Sequence, residues 1–292
     1  MPFEEIPVFD YTEPAQLRVP FLFNSPHSGR IYPQHFLQNI ALDSFTIRIS
    51  EDSYVDLLFK DVIKLGACFM MANYPRSFID INRRADELDP EMFEDLLPES
   101  VPSPSIRVLA GLGTIPKIVA TKLNIYNKKL SVSNAIKRIE NYYTPYHVKL
   151  NQVLLKLKDR FGFSVLIDCH SMPSNLKYFE GKKQPDFILG DHHSRSCASS
   201  FTQFAAALLE KKGYQISINQ PYSGGFITSH YGAPFNNIHT LQIEINRSLY
   251  LNEMTLEIHQ GFQQLRQDLM TFCADLMSFP EDELMTYQSA AE

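Results

Sequence analysis

Two histidines, His27 and His170, each follow a short apolar run in this chain of 292 residues. Val19 to Asn24 (VPFLFN) leads into Ser25-Pro26-His27-Ser28-Gly29, and Ser164 to Cys169 (SVLIDC) leads into His170-Ser171. In open α/β sheets, polar residues at the carboxyl ends of strands line the ligand crevice. Neutral imidazole is a common zinc ligand, so the pair can begin a metal site. The plainer alternative is that each ring hydrogen-bonds a loop. A catalytic zinc takes three protein ligands and keeps an open water position. Glu51, Asp52 and Asp56, at the start of a predicted helix, offer carboxylates. Acids there also balance the helix dipole, and spacing alone leaves both roles open.

Further along, TLQIEIN places Glu244 inside an apolar run. A buried carboxylate is costly without a partner or a task. Beside activated water it can act as a general base; an ion pair with arginine is the other reading. Asn73 to Arg84 (NYPRSFIDINRR) gathers Arg76, Arg83 and Arg84 around Asn82. Guanidinium groups take carboxylates bidentately, so an anionic substrate suits this segment, as does a solvated turn paired with the acids that follow. Gly224-Gly225 ahead of His230-Tyr231-Gly232 marks a loop able to approach a ligand closely. The chain has no G-x-S-x-G elbow, Walker A loop or H-E-x-x-H motif. Cys169 beside His170 is poorly placed as a nucleophile, because adjacent strand residues face opposite ways. His192-His193 reads as a surface loop.

The elements that must position these residues alternate. VPFLFN, Ala67 to Ala72 and SVLIDC are continuous apolar runs too short for helices, which suits strands covered on both faces. Phe187 to Leu189, Tyr214 to Ile218 and Leu241 to Ile245 are further strand candidates. Helical spacing covers Glu51 to Leu65 and the region from Phe201 to Leu209, with Gly213 as the stop. Ile136 to Leu157 is expected to kink or break at Pro145, and a last helix to run from about Asn252 towards Met277. Asp86 to Ser105, acidic and proline-rich, reads as an ordered excursion or lid. The alternation implies an α/β fold with a mixed, mainly parallel central sheet and helices on both faces. One domain over residues 1–292 is expected, since no linker or composition shift divides the chain.

Composition narrows the function classes. Hydrophobic residues make up 44% and charged residues 21%, which excludes collagen-like and disordered classes. A net charge of -6 argues against nucleic acid or an anionic membrane as partner. Cys68, Cys169, Cys197 and Cys273 are scattered without a C-x-x-C pair, unlike a disulfide framework or zinc ribbon. The acidic start, MPFEEIPVFD, lacks the features of a secretory signal, and no run reaches membrane-helix length, so a cytoplasmic setting is expected. Asn246-Arg247-Ser248 is accordingly read as a chance sequon.

Ordered segments along the chain resemble the N-formylglutamate amidohydrolase family. They are SPHSG (Ser25 to Gly29), EDSYVDLLF (Glu51 to Phe59), PRSFIDINR (Pro75 to Arg83), AGLGTI (Ala110 to Ile115), IDCHSMPS (Ile167 to Ser174), ILGD (Ile188 to Asp191), GGFITSHYG (Gly224 to Gly232) and LQIEINRSLY (Leu241 to Tyr250). More distantly, the chain is similar to zinc carboxypeptidases. That likeness implies a zinc-carboxypeptidase-like (phosphorylase/hydrolase-like) fold. It points to His170 as a zinc ligand, Asn82 and Arg83 as a carboxylate clamp, and Glu244 as the general base. Those enzymes take two ligands from H-x-x-E, whereas Arg30 stands three residues after His27. The family's acid before Val55-Asp56 then implies Asp52 as the carboxylate ligand, with Glu51 in reserve. Together the resemblances imply Zn2+ on His27, Asp52 and His170, an oxyanion contact from Arg76, and substrate contacts from Asn82, Arg83 and His230. The implied substrate is a small anionic N-acyl amino acid, cleaved to formate and glutamate if the family's substrate carries over. Ser229 stands where the family often has a basic residue.

Overall fold

The computed structural model describes residues 6–285. The start of the acidic N-terminal run, residues 1–5, lies outside them. Among the described residues, no helix is long and apolar enough to cross a membrane.

Seven strands form the central sheet: β1 (Phe9–Thr12), β2 (Phe21–Ser25), β3 (Cys68–Ala72), β4 (Ser164–Met172), β5 (Phe187–Gly190), β6 (Ile216–Ile218) and β7 (Ile238–Asn246), in the order β1-β3-β2-β4-β7-β5-β6. Strand β4 runs parallel to β2 on one side and to β7 on the other. Strand β5 is antiparallel to β7 and parallel to β6. The sheet is therefore mixed and mainly parallel, as the alternation of runs implied. Every residue of β2 and β4 is buried, the pattern of strands covered on both faces.

The described residues group into two compact units, one of residues 6–10, 26–51 and 71–150, the other of 11–25, 52–70 and 151–285. In the second, helix Val55–Phe59 packs on β2 and β4. Helix Gly261–Leu276 packs on Val55–Phe59 and on Ser199–Lys211. Phe23 and Phe59 stack with centroids 6.0 Å apart, and Leu166, Phe201, Ile243 and Phe272 are fully buried with them. Burial of each such side chain contributes about 1.5–3 kcal/mol.

Several boundaries differ from the sequence expectation for local reasons. The helix expected from Glu51 begins only at Val55, because Tyr54 is left-handed (φ 66°), and after Phe59 it tightens into a 3-10 turn over Lys60–Leu65. Asp52 therefore stands before the helix. The helix expected from about Asn252 starts at Gly261, and a short helix, Glu281–Met285, follows it. The Asn252 side chain accepts from the Met254 amide, and the chain turns into a short antiparallel pair, Leu251–Asn252 with Glu257–Ile258. Strand β1, short and half-buried, carried too little apolar signal to be read. Gly213 follows the helix end at Lys212 with φ 92°, the expected stop. The excursion after Asp86 is ordered near its start, where Asp89 caps a turn at Pro90–Met92 and Phe93 bridges to Leu130.

In the first unit, Pro145, expected to kink or break the helix, does not end it, although the helix leaves α geometry just before it. Helix Val132–Arg138 passes into a π turn at Ile139–Tyr143, and an α-helix resumes over Thr144–Phe161. The π turn directly before Pro145 interrupts the α-helical ladder where the proline N–H is missing.

Candidate active site

In the second unit the site grows from the register of β4 with β7. Asp168 lies opposite Gln242 and His170 opposite Glu244. Residues two apart share a strand face, so these four polar side chains form one block. The Nε2 of His170 is 3.0 Å from Asp168 Oδ2, and the Asn24 amide on β2 donates to Asp168 Oδ1 at 2.8 Å. The other ring nitrogen, Nδ1, is 3.0 Å from Asp52 Oδ2. Burial disfavours the charged ring, but the carboxylates of Asp168 and Asp52 outweigh it and raise the His170 pKa well above its ordinary value. This pocket of buried negative charge favours a cation.

Asp52 is held on its far side. Its Oδ1 accepts from Ser171 Oγ at 3.2 Å and from Arg247 Nη2 at 3.1 Å, while Arg247 Nε donates to Ser171 Oγ at 3.0 Å. Oδ2 is thereby turned towards His170. Glu244, half-buried, accepts from Gln242 Nε2 at 2.9 Å. Arg247, within the supposed chance sequon, serves Asp52, and Asn246 is buried with its amide on Pro185 O.

In the first unit, His27 Nε2 lies 2.8 Å from Asp80 Oδ1, and Arg76 Nη2 donates to Asp80 Oδ2 at 2.7 Å. Burial alone would raise the Asp80 pKa, but Arg76, His27 and Arg83 hold the carboxyl well below the usual range. Arg83 donates from Nε to Leu112 O and from Nη1 to Asn82 O, both at 2.9 Å. Its Nε also lies 4.0 Å from Asp80 Oδ2. The segment is held from behind by its carbonyls. Arg138 donates to Phe78 O, Tyr143 to Arg83 O, and His147 Nε2 meets Ile81 O. An α-helix would turn Arg138 and Tyr143, five residues apart, well away from one another, and the intervening π turn keeps both on this segment. Glu51 is engaged in the same unit, accepting from Tyr32 OH at 2.6 Å and from Arg48 Nε at 3.1 Å.

His230 is exposed on helix Phe226–Tyr231 and stacks on Phe226, with centroids 4.7 Å apart. His192 and His193 occupy a left-handed surface turn, as read. Cys169 is buried, and burial pushes its thiol well up, away from nucleophilic use.

Sequence reading missed Asp168, Asn24, Gln242 and Arg247, and took Asp80 only as the first residue of the clamp segment Asp80 to Arg83, not as a partner of His27. The D-x-H spacing of Asp168 and His170 on a strand was a usable signal for one face. Nothing local linked Asp80 to a histidine 53 positions away.

A family model described as N-formylglutamate amidohydrolase matches residues 19–251. The chain is 27% identical over 245 residues to an N-formylglutamate deformylase of Pseudomonas aeruginosa, covering 81% of this chain and 84% of the relative. A Pseudomonas putida N-formylglutamate deformylase is 28% identical over 241 residues, covering 82% and 84%. The crystal structure of N-formylglutamate amidohydrolase from Ralstonia eutropha JMP134 superposes with a TM-score of 0.88 at 33% identity, covering 95% of this chain and 99% of that one. A gene product of Agrobacterium tumefaciens shares the fold at a TM-score of 0.68, with 17% identity and coverage of 93% and 94%. The motif segments from Ser25 to Tyr250 all fall inside the matched span, and on that match the chain belongs to the N-formylglutamate amidohydrolase family.

Proposed function

We propose that the protein is a zinc-dependent amidohydrolase that cleaves N-formylglutamate to formate and glutamate. One observation carries the metal reading. Both histidines have Nε2 against a buried carboxylate, Asp80 for His27 and Asp168 for His170. Such backing fixes the tautomer and makes Nδ1 the ligating atom of a neutral ring. With Asp52 they supply the two imidazoles and one carboxylate that suit a catalytic zinc. All three residues are buried. When bound, zinc supplies Lewis acidity, polarising a carbonyl and lowering the pKa of water.

The chain's own groups do the rest. Glu244 takes a proton from the attacking water and returns it to the departing amine nitrogen as the carbon–nitrogen bond breaks. The Arg76 guanidinium stabilises negative charge developing on the formyl oxygen. Asn82 and Arg83 hold the substrate's α-carboxylate, and His230 contributes at the substrate's edge. The whole chain, residues 1–292, acts as one amidohydrolase domain in this reading, with a small anionic substrate and a cytoplasmic setting.

Formate release from N-formylglutamate, measured with zinc content, tests the proposal. A panel of other N-formyl and N-acetyl amino acids should be cleaved more slowly at equal enzyme concentration. Stoichiometric zinc with no turnover of any member would instead favour a binding protein. Arg83→Lys keeps the charge but loses the planar fork, and should raise KM for N-formylglutamate roughly tenfold or more. The penalty should shrink for the α-carboxamide analogue, whose partner charge is already absent. Equal penalties on both substrates would remove Arg83 from the clamp.

A further inference from the structure

Strand β7 carries a second polar side chain beside Glu244. Gln242, two residues earlier on the same face, is 4% exposed. Both ends of its amide are engaged. Oε1 accepts from the Gly225 backbone N–H at 2.7 Å and from Thr228 Oγ1 at 3.2 Å, while Nε2 donates to Glu244 Oε1 at 2.9 Å. A backbone N–H can only donate, so the oxygen must face Gly225 and the NH2 must face Glu244. The amide orientation is set by covalent chemistry.

The glycines explain how the loop gets there. Gly190 on β5 pairs with Gln242, and a Cβ at Gly190 would meet Gly224 N and Ser223 C at 2.8 Å. The bare glycine lets the 223–225 loop settle over β5. Gly224 then adopts φ 121°, a conformation that L side chains rarely take, and Gly225 N–H reaches Gln242. Helix Phe226–Tyr231, which carries Thr228 and His230, starts directly from this anchor.

We infer that Gln242 is a positioning residue: it holds the Glu244 carboxylate in its working orientation and ties that orientation to the Gly224-Gly225 loop. The inference rests on Glu244 acting as the base. With Nε2 bonded to one oxygen, the Glu244 carboxylate loses its freedom to rotate between the reacting water and solvent. General base catalysis depends on that alignment as well as on basicity.

The test is a double-mutant cycle on the zinc-loaded full-length protein, with N-formylglutamate as substrate. Gln242→Met removes both halves of the contact at similar size. Gln242→Glu keeps an oxygen for Gly225 and Thr228 but replaces the donor towards Glu244. Each should lower kcat by roughly ten- to a hundredfold, the scale of a hydrogen bond to a charged group, with KM and zinc content little changed. Combined with Glu244→Gln, either change should add less than about threefold, because the group it positions is already disabled. Full kcat in Gln242→Glu, or losses that multiply in the double variant, would overturn the inference. Should Gln242→Met fail to fold, Gln242→Glu alone decides, since it preserves the loop anchor. A Glu244→Gln enzyme that keeps its own kcat would sink the general-base reading instead, a result distinct from failure at Gln242.

Discussion

Glu244→Gln should yield a folded, zinc-loaded protein whose turnover is lower by roughly a hundredfold or more, the usual scale for loss of a general base. The replacement is nearly isosteric. Its amide oxygen can still accept from Gln242 Nε2, so the 2.9 Å contact that orders residue 244 survives. What disappears is the ability to take a proton at neutral pH. Fold and metal content should hold, because the ligand set proposed here lies on other residues and Glu244 is only half-buried. Melting temperature, zinc content and kcat on this one variant separate three roles. Loss of kcat alone identifies the base. Loss of zinc with the fold intact would make Glu244 a ligand and demote Asp52. A fall in melting temperature with kcat retained would leave it a structural anion.

His170→Ala and His27→Ala should each lose zinc and fall to background activity, and chelation of the wild type should do the same until zinc is restored. The carboxylate ligand is decided by a paired comparison. Asp52→Ala removes the oxygen 3.0 Å from His170 Nδ1 and should cost the metal. Glu51→Ala should keep stoichiometric zinc and lower the melting temperature, since it strips Arg48 and the Tyr32 hydroxyl of their shared acceptor. Zinc retained in Asp52→Ala and lost in Glu51→Ala would reverse the assignment. Replacing a backing carboxylate, Asp168→Asn, should weaken zinc binding by roughly ten- to a hundredfold without abolishing it.

The core of the sheet was legible in the chain itself, and so were the polar side chains that its apolar runs make conspicuous. Continuous apolar runs such as VPFLFN and SVLIDC can satisfy their burial only as covered strands, so the mainly parallel sheet followed from local pattern. A histidine at the end of such a run, or a glutamate inside TLQIEIN, stands out because burial of a polar group is costly. Alternation likewise implied that Cys169 and His170 point apart. Periodicity was blind to boundaries governed by single residues, such as the left-handed Tyr54 that leaves Asp52 outside its helix.

Partnership was decided only in three dimensions. Whether Glu51 or Asp52 faces His170 depends on which neighbours capture each carboxylate, and Tyr32 and Arg48 lie 19 and 3 positions from Glu51 while Arg247 lies 195 from Asp52. The carboxylates behind the two imidazoles came from opposite kinds of separation, two residues for Asp168 and 53 for Asp80, and only the first has a periodic trace. Gln242 read as one more residue of a buried strand until its amide was seen between Gly225 and Glu244. Residue type declares what chemistry a side chain can do. The direction in which it is held comes from hydrogen bonds that close over long stretches of chain, and pattern along the chain carries no record of them.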